Sequence, residues 1–227
     1  MIVYGKQIVL YILEKYPKII TSIYLTKEID KKLFKKFMDV GIKITRIDNK
    51  KAQGLAKGGN HQGFLLEIEE FEFTDIKELK QQQFLVVLDG LTDVGNIGAI
   101  VRTCYALGVD GLVICGIKNP NTAAIVRTSS GTMLDLPISL IQNSSDLANE
   151  LKQLGFSLVG ADASGYDIKS VQKNPNQKIA LFLGNEGSGL SKKLLKKLDL
   201  KVSISMYNDF DSLNVSVAAG ILIHSLN

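Results

Sequence analysis

With 227 residues, 45% of them apolar and 22% charged, the chain has the make-up of an ordinary globular protein with room for one large domain or two modest ones. It holds no uncharged apolar run of about 18 residues to span a membrane, and its two cysteines allow neither a disulfide framework nor a metal site, so a reducing, cytoplasmic setting is expected. The net charge of +4 is unevenly spread: residues 15–60 hold 12 Lys and Arg against 4 Asp and Glu. That excess suggests a polyanionic partner, nucleic acid first, or else lysines that keep helix faces wet.

The opening "MIVYGKQIVLYILEKYP" is broken by Lys6 and Gln7 and lacks a small-residue cleavage site, so no signal peptide is expected. Residues 4–16 read as an amphipathic helix, 19–25 as a strand, 28–40 as a Lys-rich helix, and 42–47 and 63–71 as strands. They make a small α/β unit over 1–72, followed by a polar linker over 73–83. From Phe84 the pattern changes. Strands over 84–88, 111–115, 157–161, 179–183 and 201–206 alternate with helices over 97–107, 144–154, 190–198 and 212–225. This alternation predicts, for a second domain over 84–227, a parallel sheet with helices on both faces and a ligand at the carboxyl ends of its strands.

Three strand-to-helix junctions carry the polar residues. In "LDGLTDVGNIGAIVRT", Asn96 is a good N-cap, while Arg102 sits in the N-terminal half of a helix, where the macrodipole disfavours a cation. Either Arg102 snorkels into water, or it passes over the missing side chain of Gly98, four residues earlier, to the mouth of the sheet. In "IALFLGNEGSGLS" a strand runs into a Gly-rich loop whose one charge is Glu186. In "ISMYNDFDSLNVSVAAGILIH", Ser212 or Asp211 would cap an apolar last helix whose first turn carries Asn214, read as buried and in need of partners. His61 and His224 are too few for a His-based metal site, and His224 reads as a packing residue. Cys115, in an apolar run, reads as a core residue. A nucleotide-dependent oxidoreductase is a rival reading, but no G-x-G-x-x-G fingerprint is present.

Taken in order, these junctions resemble the three signature motifs of the SpoU (TrmH) class of SPOUT RNA methyltransferases: Asn96, Gly98 and Arg102, then "LGNEGSGLS", then "SLNVSVAAGIL". The resemblance covers about residues 84–227. Residues 1–72 are similar to the family's substrate-binding domain of ribosomal-protein-like fold, with "HQGFLLEI" as its closing strand and His61 as a structural element. The resemblance implies an α/β fold with a C-terminal trefoil knot and a homodimer with the active site at the subunit interface. The implied activity is methyl transfer from S-adenosylmethionine to an RNA ribose 2′-hydroxyl, with no metal and no membrane. It gives catalytic roles to Arg102, Asn96, Glu186, Ser212 and Asn214, and cofactor contacts to Leu183, Gly184, Ile204, Met206, Leu213 and Asn214.

A domain with an HQG strand points to a guanosine of 23S rRNA as the substrate. The alternatives are tRNA and a non-catalytic RNA-binding assembly factor. Two positions depart from the family pattern: Val94 and Ser205 stand where the family often has proline. Both lose a rigidified turn and neither removes a reacting side chain.

Overall fold

The computed structural model describes residues 1–172, 174, 176–207 and 212–227. They divide into two compact units, one of Met1–Glu72 with Asn121–Gly131, the other of Phe73–Pro120 with Thr132–Asn227.

The first unit runs β1 (Ile2–Tyr4), α1 (Lys6–Lys15), β2 (Ile20–Leu25), α2 (Lys31–Met38), β3 (Ile44–Arg46), α3 (Asn49–Leu55) and β4 (Phe64–Ile68). Its sheet has the order β1-β4-β2-β3, with β4 antiparallel to both neighbours and β3 parallel to β2. The predicted first helix begins later than its periodicity suggested, because Gly5 at φ +104° breaks the chain between β1 and α1. Ile8, Val9, Ile12 and Leu13 of α1 face the core, and Phe37 of α2 stacks on Phe64 of β4 with centroids 6.2 Å apart. The α3 helix, seven residues long, showed no apolar period in the sequence; Asp48 caps it by accepting from Lys51 N at 2.7 Å. The helix Thr122–Thr128 also belongs to this unit, its Arg127 guanidinium lying 5.1 Å from the centre of the Tyr4 ring.

The second unit contains α4 (Ile76–Leu79), β5 (Phe84–Asp89), α5 (Val94–Ala106), β6 (Gly111–Cys115), β7 (Ile138–Ile141), α7 (Ser144–Gln153), β8 (Phe156–Asp167), β9 (Lys178–Gly184), α8 (Lys192–Leu195), β10 (Leu200–Ser203) and α9 (Val215–Leu226); α6 is the Thr122–Thr128 helix. Six strands form one sheet in the order β10-β8-β9-β5-β6-β7, and every pairing is parallel. The β5 and β6 strands are buried almost throughout, which is why they read as unbroken apolar runs rather than alternating ones. Cys104 and Cys115 lie in this core. Burial pushes both thiols up, Cys115 to about 12 with the nearby Asp89 charge adding to the effect, so neither is a nucleophile at neutral pH.

Four differences from the expected elements have physical causes. The 73–83 stretch is structured rather than a free linker: Asp75 caps α4, and Thr74 bonds Ile138 through its N–H (2.8 Å) and Ser139 through its carbonyl (2.6 Å). These same contacts hold β7, a strand of four residues, too short for a periodic signal. The α8 helix has only four residues, starting at the Ser191 cap, where nine were expected. Finally, β8 is twelve residues long instead of five. Its pairing with β10 jumps from Lys201↔Gly160 to Val202↔Tyr166, so residues 161–165 arch out of the ladder.

The start of β10 is tied to β8 through Asp199, which donates its N–H to Leu158 O and accepts from Leu158 N, both at 2.9 Å, while Lys152 bonds its other oxygen. Partial burial raises the Asp199 carboxyl, but the Leu158 N–H and Lys152 outweigh it and hold it below the usual carboxylate range. A carboxyl depressed on folding stabilises the fold above its unfolded pKa, and that contribution is lost as pH falls through the lower folded value. Thermal melts of Asp199→Asn and the parent should therefore differ most near neutrality and converge below about pH 4.

Candidate active site

The loops after β9 and β10, the arch of β8 and the start of α9 surround a cavity of about 670 Å³. It opens beside the carboxyl ends of the parallel strands, where an α/β sheet presents ligands to backbone rather than to side-chain ridges.

Each wall has a local cause. The loop after β9 folds back on itself: Gly189 N–H donates to Asn185 O at 2.8 Å, and the Asn185 amide donates to Gly90 O at 3.1 Å while accepting from Gly187 N at 2.9 Å. This turn packs backbone on backbone. A Cβ on Gly184 would stand 2.2 Å from Gly189 C and 2.4 Å from Leu190 N, so only glycine fits. On the opposite side, the loop after β10 is held by Ser205, whose Oγ donates to the Asp167 carboxylate, a side-chain tether that lowers the Asp167 carboxyl. Asp162, on the β8 arch, also faces the cavity. The Ser164 hydroxyl and N–H hold its carboxyl below the ordinary range, so it is ionised at neutral pH.

One chain of amide hydrogen bonds joins the three junctions. Asn214 caps α9, its Oδ1 accepting from Ser216 N at 2.9 Å and Ser216 Oγ at 2.6 Å. With that oxygen engaged, its Nδ2 donates to Asn96 Oδ1 at 3.0 Å, and Asn96 Nδ2 in turn donates to Glu186 Oε1. The caps therefore differ from expectation. Asp93, not Asn96, caps α5, accepting Asn96 N–H at 2.7 Å, which leaves the Asn96 amide free for this bridge. Asn214 takes the cap expected of Ser212; the alternative, Asp211, lies outside the described residues. Asn214 is exposed rather than buried, yet bonded at both ends of its amide, and His224 is exposed rather than packed.

Leu183, Gly184, Ile204, Met206, Leu213 and Asn214 all line the cavity, as do Glu186 and Ser212, and Asn96 reaches it through its two bonds. Arg102 is elsewhere: it is exposed on α5 and is not among the residues lining the cavity, while Gly98 is buried. Sequence reasoning missed the β8 arch with Asp162, for which a jump in strand register leaves no sequence signal. His61 is a buried turn residue whose Nδ1 accepts Gly63 N–H at 3.1 Å, ahead of β4.

A parallel sheet with a backbone-walled cavity at its strand ends, bordered by three polar loops, defines an α/β protein with a ligand site at the sheet edge. Residues 83–224 match the SpoU rRNA Methylase family, and residues 2–74 match the family described as RNA 2'-O ribose methyltransferase substrate binding. The chain belongs to the SpoU rRNA Methylase family, a family of RNA methyltransferases. It is 34% identical over 200 residues to an uncharacterised tRNA/rRNA methyltransferase of Borreliella burgdorferi, covering 82% of this chain and 87% of the relative. Among solved structures, the AdoMet-bound rRNA methyltransferase from Sinorhizobium meliloti superposes with a TM-score of 0.80 at 22% identity, covering 99% of this chain and 85% of that one. The SpoU methyltransferase AviRb from Streptomyces viridochromogenes, in complex with AdoMet, gives 0.79 at 22% identity, covering 99% and 88%.

The amide chain has a measurable signature. Asn214→Asp keeps the cap but loses the donor to Asn96, and should lower the stability of this unit by about 1 kcal/mol. Asn214→Ala loses both and should cost about 2 kcal/mol. In an Asn96→Ala background the Asn214→Asp effect should largely vanish in urea unfolding, as coupling through one bond requires.

Proposed function

We propose that this chain transfers a methyl group from S-adenosylmethionine to a ribose 2′-hydroxyl of RNA, with a guanosine of 23S rRNA as the favoured target. The observation that carries the proposal is the bridge Glu186–Asn96–Asn214, which draws the three family motifs around one cavity. The residues present suit the cofactor. A cavity of about 670 Å³ accommodates a nucleoside with a short tail. Leu213, Val215, Ala218 and Leu222 offer an apolar wall for a purine, the backbone near Gly184 and Ile204 offers polar groups for its edge, and the Asp162 carboxylate suits a ribose hydroxyl or an ammonium group. S-adenosylmethionine supplies, when bound, a methyl carbon made electrophilic by its sulfonium.

The chain's own contribution is positioning and charge. Asn96, Glu186 and Asn214 keep the loops in one arrangement, so the acceptor ribose meets a preorganised wall. Arg102 offers a planar, delocalised cation with five N–H donors and no acceptor, so it suits stabilisation of negative charge developing on the 2′-oxygen, or a neighbouring phosphate, better than proton abstraction. It acts in a homodimer. Val217 and Ile221 of α9 are exposed at 51% and 37%, and Tyr105, one turn from Arg102 on α5, at 40%. The α5 and α9 helices lie side by side, Asn227 Nδ2 bonding Leu107 O. A second copy covering this apolar face would bring Arg102 beside a cavity it does not line in its own chain. The match of residues 83–224 to the SpoU rRNA Methylase family favours rRNA, while relatives described as tRNA/rRNA methyltransferases make tRNA the competing substrate.

Calorimetry with S-adenosylmethionine separates the enzyme from a non-catalytic RNA-binding factor, which would give no heat; tritium transfer to rRNA or tRNA transcripts then reads the substrate. Gly184→Ala should abolish cofactor binding. Arg102→Ala should keep cofactor affinity within about twofold and lower methyl transfer by at least about a hundredfold. Mixing the two inactive variants should restore part of the activity through mixed dimers if Arg102 serves a shared site, and none if each chain works alone.

A further inference from the structure

The α2 helix has two faces. Phe37 is fully buried against Phe64. On another side Lys31, Phe34, Lys35 and Met38 recur at i, i+3, i+4 and i+7, the spacing of one helix face. With Arg46 of β3 and Glu28 of the preceding loop they line a groove of about 480 Å³. Arg46 Nη1 donates to Lys27 O, which ties the β2–α2 connection to β3 and gives the groove a fixed floor.

Phe34 is 37% exposed and Met38 54%, and among the described residues they are the large apolar side chains that the first unit leaves exposed. Three cations against one carboxylate line the groove, and Lys32, Lys36 and Lys43 lie nearby in the chain, all exposed. An aromatic face and a thioether between cations suit a flat, polarisable ring carried on a polyanion. A duplex hides its base faces, so the fitting partner is an unpaired stretch of RNA. Glu28 can accept a hydrogen bond from an exocyclic amino group of the base.

We propose that this groove is a stacking site for an unpaired nucleobase of the RNA substrate, with Phe34 under the base and Lys31, Lys35 and Arg46 on the flanking phosphates. It rests on the RNA-methyltransferase reading above and specifies how the first unit engages its substrate.

The test uses the full chain and two labelled probes, a short adenine homopolymer and an RNA duplex of equal length, read by fluorescence anisotropy. Phe34→Leu keeps an apolar side chain but removes the ring. It should weaken single-strand binding about tenfold, leave duplex binding within about twofold, and leave the melting temperature and S-adenosylmethionine affinity unchanged. Phe34→Trp should bind the single strand at least as tightly as the parent. Lys31→Ala with Lys35→Ala should flatten the salt dependence of single-strand binding.

Parent-like single-strand binding by Phe34→Leu, equal losses on both probes, or an unchanged salt slope overturns the proposal. So does a parental self-association that Phe34→Leu abolishes, which would assign the groove to a second copy. Methyl transfer by the parent to rRNA or tRNA is measured alongside. If it persists while the groove prediction fails, only the groove is lost; if it is absent while the groove prediction holds, it is the assigned reaction that fails.

Discussion

The site depends on the direction of a few amide protons. Ser216 gives two hydrogen bonds to one oxygen of Asn214, so the Asn214 NH2 must point the other way. Asn96 then has its oxygen committed and presents its own NH2 to Glu186. Each amide has one acceptor end and one donor end, and the sequence of bonds permits one orientation for both. A carboxylate at the far end suits the donor it receives. Residues 90 and 118 positions apart are joined in this way, with Asn96 common to both links.

That chain rests on backbone that could not be built with other residues. Gly184 meets the Gly189–Leu190 peptide at a distance that excludes a Cβ, so β9 turns into its loop with main chain packed on main chain. On the facing wall, β8 leaves its ladder between Gly160 and Tyr166 and brings Asp162 to the cavity. Gly165 permits the return: a Cβ there would stand 2.5 Å from Lys201 C. Ser205, tethered to Asp167, steadies the β10 loop by a hydrogen bond. The cavity is therefore bounded by backbone on two sides and polar at its mouth, as a nucleotide-sized ligand requires.

The two units differ in charge and in what they expose. The first carries the basic surplus and exposes Phe34 and Met38 amid it. The second is electrically balanced and encloses its apolar strands in a parallel sheet. Affinity for a polyanion and recognition of a small cofactor make opposite demands on a surface, one wanting spread positive charge and the other a tight, largely apolar recess. Under the proposed function, these demands fall on separate units.

Much of this was legible in the residues. Buried parallel strands announce themselves as apolar runs, and the loop chemistry and family resemblance point to Gly184, Leu213 and Asn214, which line one cavity in the fold. Hydrophobic period and glycine placement are local properties, and they survive folding largely unchanged. What tertiary structure alone decided was non-local. Asp93 rather than Asn96 caps α5, and the Asn96 amide bonds Glu186 and Asn214. The β8 arch exists because β10 pairs with both of its halves, and Arg102 is exposed although Gly98, four residues earlier on the same face of α5, is buried. A side chain's partners depend on which distant segments arrive beside it, and no local pattern encodes that arrival.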